Sequence, residues 1–264
     1  MELIAPAKVN WHLAVGRRRP DGYHPIASIF QTCSLSDRLH VEIGEGPFSV
    51  DVRGLEGLCP KGKSTLEKAA NLWHERMGFD RSISILVEKR IPSQAGLGGG
   101  SSDAATLLRY LNSQEADPLD VEDLMRIGLD VGCDVPFFIR GCRTALVSGL
   151  GEIVRPIEPR TDLKGFILIP EGGKTSTREA YGALDGRAVI PDLDDLDDLE
   201  MIYRLPVREW SFRNDFGIVN TRPDIGLLDG ERLILTGSGS CHVLLSDRED
   251  LELNGGLKAE RVTF

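Results

Sequence analysis

The densest chemistry in the chain lies at residues 91–112, IPSQAGLGGGSSDAATLLRYLN. Four glycines, Gly96, Gly98, Gly99 and Gly100, fall within five positions and run into a stretch patterned as a helix. Just before them, residues 82–88 (SISILVE) alternate polar and apolar, with Ile83, Ile85 and Val87 on one face, which predicts a strand. Pro92 has no N–H to donate and ends any ladder there. Ser101 or Ser102 is expected to cap the helix, with Asp103 in its first turn near the positive end of the dipole. A strand, a loop free of side-chain bulk and a capped helix together make a phosphate site. The glycines let backbone N–H groups turn towards an anion, and the helix N-terminus adds its unpaired donors.

Other elements must position that loop. Residues 1–15 (MELIAPAKVNWHLAV) form an extended run broken by Pro6 and carrying one buried-looking cation, Lys8. GRRRPDGYHPI is a turn cluster joining two strands. Residues 29–35 and 38–43 read as strands separated by Ser36-Asp37, and 48–53 (FSVDVR) alternates as an exposed antiparallel strand does. The first helix is predicted at 64–77, with Leu66, Ala69, Ala70, Trp73 and Met77 at helical spacing and Gly78 as C-cap. Beyond the glycine loop come a helix at 119–129, strands at 137–140 and 144–148, and a boundary near 151–160, rich in proline and charge. The second part restarts with a strand at 165–170, then a short helix capped by Ser176 or Thr177. DLDDLDDLE at 192–200 spreads its carboxylates around a helix, so it reads as a solvated linker or a helix start, not a metal site. Asn214-Asp215 precedes an apolar, helix-like stretch, and RLIL at 232–235 runs into a second glycine-serine loop, TGSGSCHVLLS.

Residues 57–64, GLCPKGKS, match GxxxxGK[ST] between a strand and a helix, as a Walker A loop would. Pro60 removes one donor from such a cradle, and the preceding strand lacks the continuous apolar run of a buried parallel strand. The nearest apolar run ending in aspartate, VLLSD at 243–247, is a poor one. The favoured reading is a loop with Ser64 or Thr65 as helix N-cap.

The chain has 264 residues, a net charge of −10 and a pI near 5.1, so a nucleic-acid partner is not expected. The only basic cluster, Arg17, Arg18 and Arg19, sits beside a turn signal. Five cysteines, odd in number and without a CxxC pair, argue for a reducing compartment and against a zinc site. No long apolar run suggests a membrane span, and the start lacks a signal-peptide pattern, so the expected location is cytoplasmic.

Three segments ask for one explanation: PAKVNWHL, the glycine-serine loop, and VGCDVPFF with Asp134. The loop is not a Rossmann fingerprint, because GxGxxG needs glycine where Ser101 stands. PxxxGLGGGSSDAA resembles the second motif of the GHMP small-molecule kinases. PAKVN with RRPDGYHPIASIFQ, GCDVPFFIRG and LTGSGSC are similar, in order, to further blocks of the branch acting on a diphosphocytidyl-methylerythritol. The resemblance covers most of the chain and is weakest at 182–213.

That resemblance implies an α+β, two-domain GHMP fold with the active site in the cleft between domains. An N-terminal ATP-binding domain like the second domain of ribosomal protein S5 would span 1–152, and a ferredoxin-like domain 153–264. It implies ATP-dependent phosphorylation of the 2-hydroxyl of the methylerythritol moiety in isoprenoid precursor synthesis, with Mg2+ arriving on the nucleotide. The alternatives are another GHMP kinase (mevalonate, homoserine or a sugar) or a non-catalytic nucleotide-binding regulator. Asp134 matches the residue that accepts the hydroxyl proton, and Lys8 the cation that keeps it ionised and orients the hydroxyl. Pro92, Ser93, Gln94, Ala95, Gly96, Leu97, Gly98, Gly99, Gly100, Ser101 and Ser102 match the ATP loop. Tyr23 and His24 match residues that hold the cytosine, and Tyr181 an opposing aromatic. Asn10 and Thr177 would line the methylerythritol. The expected partners are ATP and a small cytidine diphosphate derivative, with neither nucleic acid nor membrane, and the chain acting as a monomer or weak homodimer.

Overall fold

In the computed structural model, which describes residues 1–171, 177–187, 190–253 and 256–264, the chain's own contacts divide it into two units. The first comprises Met1–Ala7, Leu35–Ser93 and Gly98–Cys142; the second comprises Lys8–Ser34, Gln94–Leu97 and Arg143–Phe264. Strands β1 (Glu2–Val15) and β2 (Ile26–Gly44), which pair with each other, contribute residues to both. Pro6 does not break β1, which pairs with β2 off the main path of its sheet, since proline is tolerated in strands at a sheet's edge. Nor do Ser36 and Asp37 divide β2. The Asp37 carboxylate accepts the N–H groups of Arg90 and Ile91, so a charged residue survives in mid-strand.

In the first unit, β3 (Ser49–Arg53) pairs with β4 (Ser82–Glu88) in parallel and not as the antiparallel strand its alternation suggests. Helix α1 (Thr65–Met77) is the crossover between them. Its start carries a complete capping box, Ser64 with Glu67, and Gly78 closes it in the left-handed region at φ 65°. On the other side β4 pairs antiparallel with β2, burying Ile83, Ile85 and Val87.

Helix α2 (Gly99–Asn112) packs against α1, α3 (Val121–Val131) and α4 (Val135–Arg140). Its buried face is Ala104, Ala105, Leu107, Leu108 and Leu111. The helix starts earlier than the serines suggest. Gly98, left-handed at φ 70°, is the N-cap, so Ser101 and Ser102 are the third and fourth helical residues and neither caps it. Asp103 accordingly lies past the first turn. Residues 137–140 are helical in α4, not a strand. Pro136 in the first turn and left-handed Gly141 at the end are start and stop signals that outweigh the short apolar run.

The second unit holds β5 (Thr144–Gly149), which pairs with the first part of β2 and with β6 (Ile153–Pro156). It also holds an antiparallel sheet in the order β10 (Leu257–Thr263), β7 (Lys164–Pro170), β9 (His242–Leu245), β8 (Arg232–Leu235). Phe166, Leu168 and Leu244 form that sheet's buried centre. Helix α5 (Thr177–Asp185) begins at Thr177; the other expected cap, Ser176, lies outside the described residues. The acidic run becomes the start of α6 (Leu196–Arg204), where Asp195 caps Asp197 and Asp198. Among the described residues no helix is long and apolar enough to cross a membrane, and none of the five cysteines is in a disulfide.

Candidate active site

The second unit builds one part of the site from β1 outward. Lys8 is buried; its N–H donates to Leu97 O at 3.0 Å and its Nζ to Asn10 Oδ1 at 2.6 Å, 4.5 Å from the centre of the Phe30 ring. Alternation along the strand puts Lys8 and Asn10 on one face. Asn10 Oδ1 also accepts Gly237 N–H at 3.0 Å, the Asn10 N–H donates to Thr236 Oγ1 at 3.0 Å, and Asn10 Nδ2 donates to Ser28 Oγ at 3.0 Å. The Asn10 carbonyl oxygen is thus filled by its own scaffold, with Lys8 fixed to it.

The same unit brings the two glycine loops together. Gly96 sits at φ 76° and Gly237 at φ 57°. A Cβ on Gly96 would stand 2.3 Å from Thr236 O, and one on Gly237 2.5 Å from Gly96 O, so only glycine permits this backbone-to-backbone approach. Asn214 Nδ2 donates to Leu235 O and Gly237 O, and Asn220 Nδ2 to Ser238 O, which ties the second loop down. Thr177 Oγ1 lies 3.3 Å from Ser238 Oγ, so Thr177 and Asn10 meet the same loop. His242, after the loop, is neutral at pH 7, since burial takes its pKa down to about 4.

At the other end of β1, His24 is buried, with Nδ1 2.9 Å from Gly16 O and Nε2 3.2 Å from Asp185 Oδ1. Tyr181 lies against it, ring centres 5.2 Å apart. Tyr23 is 57% exposed, whereas the ring that meets Tyr181 here is that of buried His24.

In the first unit, the N-terminal amides of α2 have no partner within the helix, as at any helix start. Ser102 is fully buried, and among the described residues its Oγ meets no hydrogen-bond partner. Thr65 Oγ1 donates to Gly100 O at 2.7 Å and holds the turn. Asp134 is half-buried at the N-cap position of α4. The turn before it lies beside α2: a Cβ on Gly132 would stand 3.8 Å from Ser101 Oγ. A glycine cradle, an open helix N-terminus and an orphaned buried hydroxyl fit a phosphate chain. No three His, Cys, Asp or Glu side chains among the described residues converge as metal ligands.

The sequence marks Thr236 and Gly237 only as part of its second glycine-serine loop, and it does not mark Asn214 or Asn220 as site-building residues. The repeated Gly-Ser pattern of TGSGS was the one local signal, since the bond from Asn10 to Thr236 spans 226 positions.

Residues 64–142 match the family model described as GHMP kinases N terminal domain. The 4-diphosphocytidyl-2-C-methyl-D-erythritol kinase of Thermotoga maritima is 35% identical over 272 residues, covering 97% of this chain and 96% of that one. With the enzyme of the same name from Thermotoga petrophila, identity is 40% over 185 residues, 69% of this chain and 65% of the relative. A crystal structure of 4-(cytidine 5'-diphospho)-2C-methyl-D-erythritol kinase superposes with a TM-score of 0.74 at 29% identity, covering all of both chains. The Methanococcus jannaschii mevalonate kinase, at 13% identity and a TM-score of 0.63, shares the fold. With α+β architecture and 35% identity over nearly the full length of a relative, the chain belongs to the 4-diphosphocytidyl-2-C-methyl-D-erythritol kinase family of GHMP kinases.

Proposed function

We propose that the protein transfers the γ-phosphoryl group of ATP to the 2-hydroxyl of 4-diphosphocytidyl-2-C-methyl-D-erythritol, a step in isoprenoid precursor synthesis, in the cytoplasm. The observation that carries this reading is that one chain holds both an open glycine cradle, at the start of α2 in the first unit, and a contact between Tyr181 and His24 in the second. One suits phosphates and the other suits a flat base.

In this reading residues 92–102 hold the triphosphate through backbone N–H groups and the Ser101 and Ser102 hydroxyls. Mg2+ enters with the nucleotide as part of the substrate, where it neutralises phosphate charge. Asp134 accepts the proton of the attacking hydroxyl, and Lys8, fixed by Asn10, orients that hydroxyl. Asn10 and Thr177 line the methylerythritol. His24 and Tyr181 hold the cytosine, and Tyr23 closes over it from its exposed turn when the substrate arrives. The Asp185 carboxylate faces His24 Nε2 and fixes the imidazole orientation. The five cysteines, each half-buried or buried and none in a disulfide among the described residues, fit a reducing compartment.

The test is an ADP-release assay with the diphosphocytidyl substrate beside mevalonate and homoserine. Turnover is expected with the cytidine compound alone. Preference for mevalonate or homoserine points to another GHMP activity, and nucleotide binding without turnover of any of the three points to a regulator.

A further inference from the structure

Three buried charges in the first unit join the entry of the phosphate loop to its exit. Asp37, in β2, is fully buried, and its Oδ1 accepts the N–H groups of Arg90 at 2.6 Å and Ile91 at 2.8 Å, the residues that lead into the loop. Its Oδ2 is bound by Lys89 Nζ. The same ammonium donates to Asp103 Oδ2 at 3.1 Å, on α2 just past the loop. It also lies under Gly99, where a Cβ would stand 3.0 Å from Lys89 Nζ and 2.9 Å from Ile91 Cγ2. None of the three charges has a part in the phosphoryl transfer described above.

One cation here faces two carboxylates, and the two are unequally served. Asp37 has three donors, whereas Asp103 has one, and among the described residues its Oδ1 meets no partner. Burial raises the Asp103 pKa to about 7; Lys89 opposes the rise and Asp37 adds to it. Those two are the charged groups that act on it among the described residues. At neutral pH the cluster is therefore partly protonated, and it loses that proton on going to mildly alkaline pH.

We propose that Asp37, Lys89 and Asp103 are positioning residues that clamp the entry and exit of the phosphate loop, holding the α2 N-terminus in register for a nucleoside triphosphate. This rests on the reading of residues 92–102 as the ATP loop. A stretch with four glycines loses much conformational freedom when it is ordered. Fixing both ends beforehand leaves less ordering to be done at binding, which is preorganisation. The clamp is tighter when Asp103 is ionised, because its hydrogen bond from Lys89 then joins two charges.

The test compares wild type with Asp103→Asn, which keeps the shape of the side chain, and with the double variant Lys89→Gln/Asp103→Asn. The KM for ATP, kcat and melting midpoint are measured at about pH 6 and about pH 8, either side of the ordinary neutral range. Asparagine copies the protonated carboxyl, so the ratio of variant to wild-type KM is expected near one at the lower pH and about tenfold at the higher. Taking the ratio removes the titration of ATP itself, and kcat is expected to stay within about twofold at both. The double variant is expected to raise KM at both pH values, and it carries the test if the single variant fails to fold. A KM ratio near one at both pH values, or a fall in kcat with KM unchanged, overturns the clamp. Titration calorimetry with ATP separates the two readings. A wild type that binds no ATP overturns the loop assignment and the clamp together, whereas equal binding by wild type and Asp103→Asn at the higher pH overturns the clamp alone.

Discussion

Two stretches of this chain follow the same plan, a strand, a glycine-bearing loop and a helix, yet they differ in where their backbone donors go. The loop at 57–64 matches a Walker A pattern and even sits in a parallel β3-α1-β4 crossover, the context such a motif requires. Its donors are already taken. The Glu67 carboxylate accepts the N–H groups of Gly62 at 2.7 Å and Ser64 at 2.9 Å and the Ser64 hydroxyl at 2.8 Å. An internal anion occupies the place a phosphate would fill. Among the described residues the loop at 92–102 has no such plug at the start of α2, and its N-cap residue is a glycine. A motif's letters therefore identify a possible cradle, and the satisfaction of its amides decides whether it is open.

The largest expected effect tests which unit of chemistry the open loop serves. Asp134→Asn should lower kcat by about 10²- to 10⁴-fold, the usual range for losing a general base, with ATP affinity kept. Turnover near the wild-type rate would remove Asp134 from the base role.

A smaller effect sets the loops directly against each other. Gly96 and Gly62 share the left-handed region, at φ 76° and φ 81°, but a Cβ meets Thr236 O at 2.3 Å in the first and nothing within 4 Å in the second. Either alanine has the backbone cost of about 1–2 kcal/mol. Only Gly96→Ala must also push two backbones apart, so it should raise the KM for ATP about 10- to 100-fold. Gly62→Ala should lower the melting midpoint and leave kinetics alone. Equal kinetic effects would break the distinction between open and closed loops.

What was legible in the sequence follows the range of the interactions. The alternation of Ile83, Ile85 and Val87 and the capping signals of α1 are local, and both are in the structure. The split of β2 at Asp37 and the strand assigned to 137–140 failed because each residue's state is set by a distant partner or by Pro136, not by its neighbours' hydropathy. The weakly resembling stretch at 182–213 holds core aromatics: Tyr203 donates to Gln31 Oε1, which also accepts from Trp11, and Trp210 packs on both rings. In the site, the glycine run announced itself, whereas the Asn10, Thr236 and Gly237 contacts join segments more than two hundred positions apart.

The plug itself has a measurable stability. Burial raises the Glu67 pKa, but the hydrogen bonds from Ser64 and Gly62 outweigh it and the net shift is downward. A lowered carboxylate pKa means that this contribution is present above the ordinary value of 4.5 and is lost as pH falls through the folded-state value below it. Glu67→Gln should therefore cost about 1 kcal/mol near neutral pH, and the difference from wild type should shrink in acid. A constant difference down to the acid limit would mean that the charge contributes nothing.

The smallest effect is expected at Lys63, the residue that a working Walker loop cannot lose. In such a loop the lysine reaches the terminal phosphates, and removing it abolishes nucleotide turnover. Here Lys63 is exposed, its N–H donates to Pro60 O in a local turn, and the amides around it face Glu67. With the cradle filled there is no phosphate for the ammonium to meet. Lys63→Ala should leave kcat and the KM for ATP within about twofold, the scale of a surface substitution. A large loss of turnover would mean that Glu67 leaves the loop when nucleotide binds, and that the two cradles are both open in the working enzyme.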